Sequence, residues 1–116
     1  MRVWDIEPHE LCRQHLLGEH RELHGLWNIL IKQGVVGGYS RHPETLRWVG
    51  KTKALYLRHE ALVTEMERRN YNHASPLDKR LASGKSIQDS FLNTIAEQRE
   101  VLKAKLCDCG VEYQER

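Results

Sequence analysis

Cysteine occurs only three times in the 116 residues, proline three times and phenylalanine once. Three cysteines are an odd number and too few to staple a fold, which excludes a disulfide scaffold and points to a reducing, cytoplasmic setting. No uncharged apolar run approaches the roughly 18–20 residues that a bilayer requires. The opening Met1-Arg2-Val3-Trp4-Asp5 has none of the marks of a signal peptide, so no membrane partner is expected. A large excess of one charge is also missing: 18 Lys/Arg against 16 Asp/Glu leave a net +2, which excludes a strongly basic nucleic-acid packer. With 29% charged and 40% hydrophobic residues the chain reads as an ordinary globular protein rather than a disordered one. Its length fits one domain over residues 1–116.

What charge there is falls unevenly. Residues 1–40 carry four Lys/Arg against five Asp/Glu, residues 41–85 carry ten against five, and residues 86–116 carry four against six. The central basic segment is either a solvated helix face or a surface that meets phosphates.

Hydrophobic periodicity predicts three helices and no alternating strand. The first opens near Pro8, with Leu16, Leu23, Trp27 and Leu30 at helical spacing and His20 on the same stripe; Gly34, Gly37 and Gly38 end it. The second runs from Pro43 to about Asn70 on a stripe of Trp48/Val49, Thr52, Leu55/Tyr56, Leu62/Val63 and Met66, followed by a loop to Pro76. The third opens at Ser86, where Asp89 three residues on matches a capping box, buries Ile87, Phe91, Ile95, Leu102 and Leu106, and stops at Gly110. The expected fold is all-α, a compact three-helix bundle with long connecting loops.

On the first helix Gln14, His15, Gly18, Arg21, Glu22 and Gly25 share one side. Each glycine inside a helix costs about 1 kcal/mol against alanine, so something needs close approach there. Either a neighbouring helix packs tightly on this face or a substrate reaches it. His20 and His24 stand four apart and could both reach a metal ion, but His-Arg-Glu-Leu-His is not the His-Glu-x-x-His order. His20, on the apolar stripe, reads as a core histidine, Cys107-Asp108-Cys109 lacks the usual ligand spacing, and Cys12 reads as a small core residue. No metal and no cofactor is expected.

Arg2 together with Gln14-His15-Leu16-Leu17-Gly18-Glu19-His20-Arg21-Glu22-Leu23 resembles the first helix of the pyrimidine-dimer DNA glycosylases. A phage member of that family reads Gln-His-Leu-Met-Ala-Glu-Tyr-Arg-Glu-Leu there, differing at Leu17, Gly18 and His20. The turn Gly38-Tyr39-Ser40-Arg41-His42-Pro43 and the segment Glu67-Arg68-Arg69-Asn70-Tyr71-Asn72 are similar to two further stretches of the family, the second reading Lys-Arg-Gly-Phe-Asn. The likeness spans about residues 1–77.

The resemblance implies an all-helical DNA repair enzyme that excises one base of a cyclobutane pyrimidine dimer and then cleaves at the abasic site. Its nucleophile would be the N-terminal α-amine, which forms an imine with the sugar. Aligning Glu22 with the family's catalytic glutamate places Met1 opposite the family's N-terminal residue, and Arg2 is too bulky for ordinary methionine removal, so Met1 is expected to remain and act. Glu22 would stabilise charge at the sugar and take the 2′-proton. Arg2 and Arg21 would hold phosphates, and Gln14 and His15 would line the same surface. Arg41, Arg47, Lys51 and Lys53 are further candidates for phosphate contacts, taken from the basic segment rather than from the family. Gly25 replaces a family arginine, His24 a proline, and the aromatic, basic tail of the phage member is absent. The implied partner is double-stranded DNA containing dimers or abasic sites, bound by a cytoplasmic monomer that associates with the nucleoid. The alternatives are a DNA-binding helical module with lost or abasic-site-only activity, and a helical interaction protein.

Overall fold

A computed structural model describes residues 3–33, 43–72 and 76–104 of the chain. Helix α1 spans Arg13–Asn28, α2 Pro43–Leu46, α3 Thr52–Arg68 and α4 Ile95–Lys103. Short 3-10 turns lie at Pro8–Glu10 and Lys79–Leu81, and α1 widens into a π turn over Ile29–Gln33. No strand occurs among the described residues. The all-α bundle expected from the sequence is the observed architecture.

The Cys12 side chain caps α1 by accepting from the His15 amide at 3.4 Å. Leu16, Leu23, Leu26 and Trp27 then face the interior, where they meet Leu55, Leu62 and Met66 of α3 in one core. Removing such side chains from water, at roughly 25 cal/mol per Å² of apolar surface, is the main force holding α1 to α3. Among the described residues no helix is long and apolar enough to cross a membrane.

The segment before α1 contributes as much to the core as a helix does. Val3, Trp4, Ile6 and Leu11 are all buried. Its backbone is fastened by side chains from three helices or their ends. The Val3 amide donates to Glu44 at 3.3 Å, Arg47 donates to the Val3 carbonyl at 2.8 Å, and Arg58 donates to the Ile6 carbonyl at 2.7 Å. Gln98 of α4, fully buried, accepts from the Asp5 amide at 2.8 Å and donates to its carboxylate at 3.0 Å.

The second predicted helix is two. Four residues after Pro43 the chain leaves α2, turns through Arg47–Gly50 with Gly50 at φ 75°, and restarts as α3. The break lets Glu44 accept from Val3, Arg47 and Trp48, and lets the start of α3 take its capping from elsewhere. The Lys53 and Ala54 amides donate to the Ser83 and Lys85 carbonyls at 2.8 and 3.0 Å, while Lys85 donates to the Gly50 carbonyl at 3.0 Å. That backbone pairing brings Gly84, at φ 77°, so close to Gly50 that a Cβ there would collide with the Gly50 carbonyl.

Helix α3 ends in a Schellman turn: Tyr71 N–H reaches the Met66 carbonyl and Asn70 N–H the Glu67 carbonyl. Asn70 adopts φ 64°, the left-handed conformation that this turn requires. Arg69, buried, reaches back from this turn to the Leu11 carbonyl at 2.6 Å and to Glu65 at 2.6 Å.

The third helix starts later than the periodicity predicts. A capping box is present, but it is Thr94 with Glu97: Thr94 accepts from the Glu97 amide at 3.1 Å, and Glu97 accepts from the Thr94 amide at 2.8 Å. Ser86–Asn93 is irregular, and Ile87 and Phe91 are 71% and 50% exposed instead of buried. Asp89 and Ser90, with Gln88, surround the ammonium of Lys51 at 2.7–3.0 Å. That Lys51 bond holds the exposed Asp89 carboxyl down at about 2. The competing role as an ion-pair loop overrode the Ser86/Asp89 pattern. Gly34, Gly37, Gly38, Leu106 and Gly110, expected to end or face helices, lie outside the described residues.

Candidate active-site face of the first helix

The exposed side of α1 carries Gln14, Arg21, Glu22 and Gly25, with Gly18 half-buried among them. The sequence-predicted face is therefore a real surface, and helical geometry alone aligns it. Among the described residues, a Cβ on Gly25 would meet nothing within 4 Å, and one on Gly18 would meet only the tip of Arg21 at 4.0 Å. Tight helix packing, one of the two explanations for those glycines, is thus not what this structure shows. The face offers a carboxylate, a guanidinium and bare backbone to whatever approaches from solvent.

His15 sits at the edge of that face and is partly enclosed. Its Nδ1 lies 3.1 Å from the Cys12 sulfur, and its ring meets Trp4 edge-on at 6.2 Å between centroids. At the start of α1, Arg13 lies over the Tyr71 ring at 5.0 Å, a cation–π contact joining the end of α3 to the same helix.

The basic residues of the central segment divide sharply. Lys53 is exposed. Arg47 is not: its side chain is 5% exposed, and it binds Glu44, Asp5 and the carbonyls of Val3 and Ser90. It also covers the Trp48 ring at 4.8 Å. Lys51, with a side chain 10% exposed, is held by Asp89, Gln88 and Ser90. Both cations are mostly enclosed and already held by carboxylates of this chain, so their expected phosphate contacts have no support in the geometry. Met1, Arg2 and Arg41, and the Cys107-Asp108-Cys109 stretch, lie outside the described residues.

Behind the exposed face, α1 is tied to α3 by charge. Glu19, fully buried, takes two hydrogen bonds from Arg58, Nε to Oε2 at 2.7 Å and Nη2 to Oε1 at 3.0 Å. Burial pushes the Glu19 carboxyl above its ordinary value, and the Arg58 guanidinium works against that rise. Beside this pair, His20 and His24 meet His59 of α3, and the three offer ligand atoms within 4.8 Å of one another. Sequence reasoning missed His59; the adjacent Glu60 was the available signal. A groove of about 270 Å³ lined by Glu7, Pro8, His9, Ala61, Thr64 and Glu65 holds none of the residues expected to act.

Comparison with curated proteins and with solved structures returns no match. A family model described as pyrimidine dimer DNA glycosylase matches residues 1–79. That stretch contains the anchored first segment, the exposed Arg21–Glu22 face and helices α1 to α3; residues 80–116, with α4 among them, lie outside it. With more than half of its length so matched, and with the helical architecture in place, the chain belongs to the pyrimidine dimer DNA glycosylase family.

Proposed function

We propose that this glycosylase works by imine chemistry, with the Met1 α-amine as nucleophile and Glu22 as the acid–base group. The observation that carries the reading is the open face of α1, where Arg21 and Glu22 stand side by side and exposed, in the place the family resemblance gives to its catalytic pair. An α-amine has an ordinary pKa of about 7.7–8.0, so a useful fraction is neutral near pH 7 without tuning. It attacks C1′ of the damaged nucleotide as the base leaves and gives up a proton; the C1′–O4′ bond then breaks, O4′ takes a proton to become a hydroxyl, and C1′ is left doubly bonded to the amine nitrogen as a protonated imine. The Glu22 carboxylate stabilises the positive sugar, then removes the 2′-proton, and the 3′ C–O bond breaks in β-elimination.

The reading requires the Met1 amine to come within reach of Glu22 from Val3, whose amide and carbonyl are held by Glu44 and Arg47. Arg47 therefore serves the reaction as a strut for the first segment. Phosphates are held by Arg2, Arg21 and Arg41 with Lys53, while Gln14 and His15 line the surface. The substrate is double-stranded DNA bearing a pyrimidine dimer or an abasic site, bound by a monomer. Extruding the base costs a few kcal/mol, and less where the lesion has already weakened stacking.

The test is borohydride trapping on an abasic duplex, with untagged protein whose N-terminus is verified by intact mass. A covalent adduct that disappears when the N-terminal amine is blocked is the expected result. No adduct, or one indifferent to blocking, overturns the mechanism.

Gly25→Ala separates the roles of helix and surface. Alanine adds up to about 1 kcal/mol of helix stability, and the site is open, so the melting temperature should rise. Incision of dimer-containing DNA should fall several-fold, because the added methyl stands where the substrate approaches. A rise in melting temperature with unchanged incision would remove Gly25 from the contact surface.

A further inference from the structure

Helices α1 and α3 bring together three imidazoles that the reaction above does not use. His20 Nε2 lies 3.2 Å from His59 Nε2, and the three ring centroids are 4.6–5.1 Å apart. Two nitrogen ligands on a tetrahedral zinc ion, each about 2.05 Å from the metal, sit about 3.3 Å apart. The His20–His59 separation is thus that of two ligands of one ion. His20 and His24 are one turn apart on α1, the spacing by which a helical histidine pair closes on a metal. His59 Nδ1 lies 2.8 Å from the Glu60 carboxylate. Nδ1–H donates a hydrogen bond to the carboxylate, which leaves the lone pair at Nε2, the atom that meets His20. A carboxylate behind a histidine in this way is the usual support of a metal ligand.

We propose that His20, His24 and His59 form a binding site for one late first-row divalent cation, zinc foremost. Three neutral imidazoles with no carboxylate or thiolate among them select zinc, copper or nickel over magnesium or calcium. A water completes the tetrahedron. Binding sets His20 in its Nδ1–H form, since its Nε2 becomes a ligand. His59 is fully buried and the other two are half-buried, so the ion acts as a clamp between the two main helices. Its position has a local consequence. Arg21 and Glu22 lie between the two α1 ligands in sequence, and Glu22, about 200° around the helix from His20, faces away from the ion. The clamp therefore fixes the rotation of the turn that presents them.

The experiment uses untagged full-length protein, freed of metal by chelation and then titrated with zinc or cobalt chloride. Expected are one equivalent of zinc retained through gel filtration, the intense visible absorption of tetrahedral cobalt(II), and a zinc-dependent rise in melting temperature. His24→Ala, at a half-buried position, should weaken zinc binding at least 100-fold, and Glu60→Gln should weaken it about 10–100-fold through the supporting hydrogen bond. Both variants are chosen to spare the fully buried His59, and circular dichroism verifies their fold. Sub-stoichiometric uptake, or uptake unchanged in His24→Ala, overturns the site and leaves the three histidines as a hydrogen-bonded part of the interface.

Discussion

Glu22→Gln should lower incision of dimer-containing DNA by at least 100-fold while leaving affinity for the duplex within a few-fold and the melting temperature nearly unchanged. General acid–base groups contribute about 10²–10⁴ in rate, and glutamine keeps the size of the side chain while losing its ability to take a proton. The selectivity of the effect follows from location. Glu22 is exposed on α1, and substitutions at such positions are usually within about ±0.5 kcal/mol of neutral. A fall in stability comparable to the fall in activity would instead make this glutamate a structural residue. Kinetics under single-turnover conditions, with binding measured in parallel on uncleavable DNA, separates the two.

Arg58→Ala is expected to be the most damaging change to the fold, at about 3–5 kcal/mol, because it leaves the Glu19 carboxylate buried without its partner. It also deletes the bond that holds the Ile6 carbonyl. The loss should depend on pH with a definite sign. Burial already raises Glu19 above the ordinary 4.5, and without Arg58 the rise is larger. A carboxyl whose pKa is higher folded than unfolded penalises folding only when ionised. The penalty is absent below the unfolded value and grows as pH rises through the folded one. Urea midpoints of wild type and variant should therefore lie closer at pH 5 than at pH 8. Equal gaps at both would assign the damage to the Ile6 bond instead. Replacing Glu19 and Arg58 together by leucine should recover most of the loss, since a well-packed apolar pair often matches a buried ion pair.

The two faces of helix α1 were legible from the sequence because they repeat at 3.6 residues, but its start was not: Pro8 opens only a short 3-10 turn, and the helix begins at Arg13 after its Cys12 cap. Glu19 is the exception on its inner stripe, a carboxylate that reads as solvent-facing until Arg58 is found across the interface, 39 residues away. The same blindness explains Arg47 and Lys51. In a count of charges both belong to a basic surface, yet each is the partner of carboxylates that are remote in sequence, Asp5 at 42 residues and Asp89 at 38. Sequence periodicity registers which residues share a face and carries no information on which charge meets which. Two Ser/Thr-x-x-Asp/Glu patterns, at Ser86 and Thr94, competed for the start of the last helix. Only the second is followed by a residue pair, Gln98 and Leu102, that the rest of the molecule buries. The candidate site was legible where one helix carried it, at Gln14, Arg21 and Glu22. It was illegible where two helices had to meet, as His59 shows.

Chain ends ordinarily fray, and their amide protons exchange with solvent in moments. In this protein the amides of Val3 and Asp5 donate to the side chains of Glu44 and Gln98, which are 1% and 0% exposed. For the deuterium of heavy water to reach Asp5, α4 has to lift away with Gln98. Exchange at Asp5 thus reports the opening of α4, and exchange at Val3 reports its release by Glu44 of α2. The Asp5 amide is thereby expected to exchange in step with α4, although 93 residues separate Asp5 from Gln98.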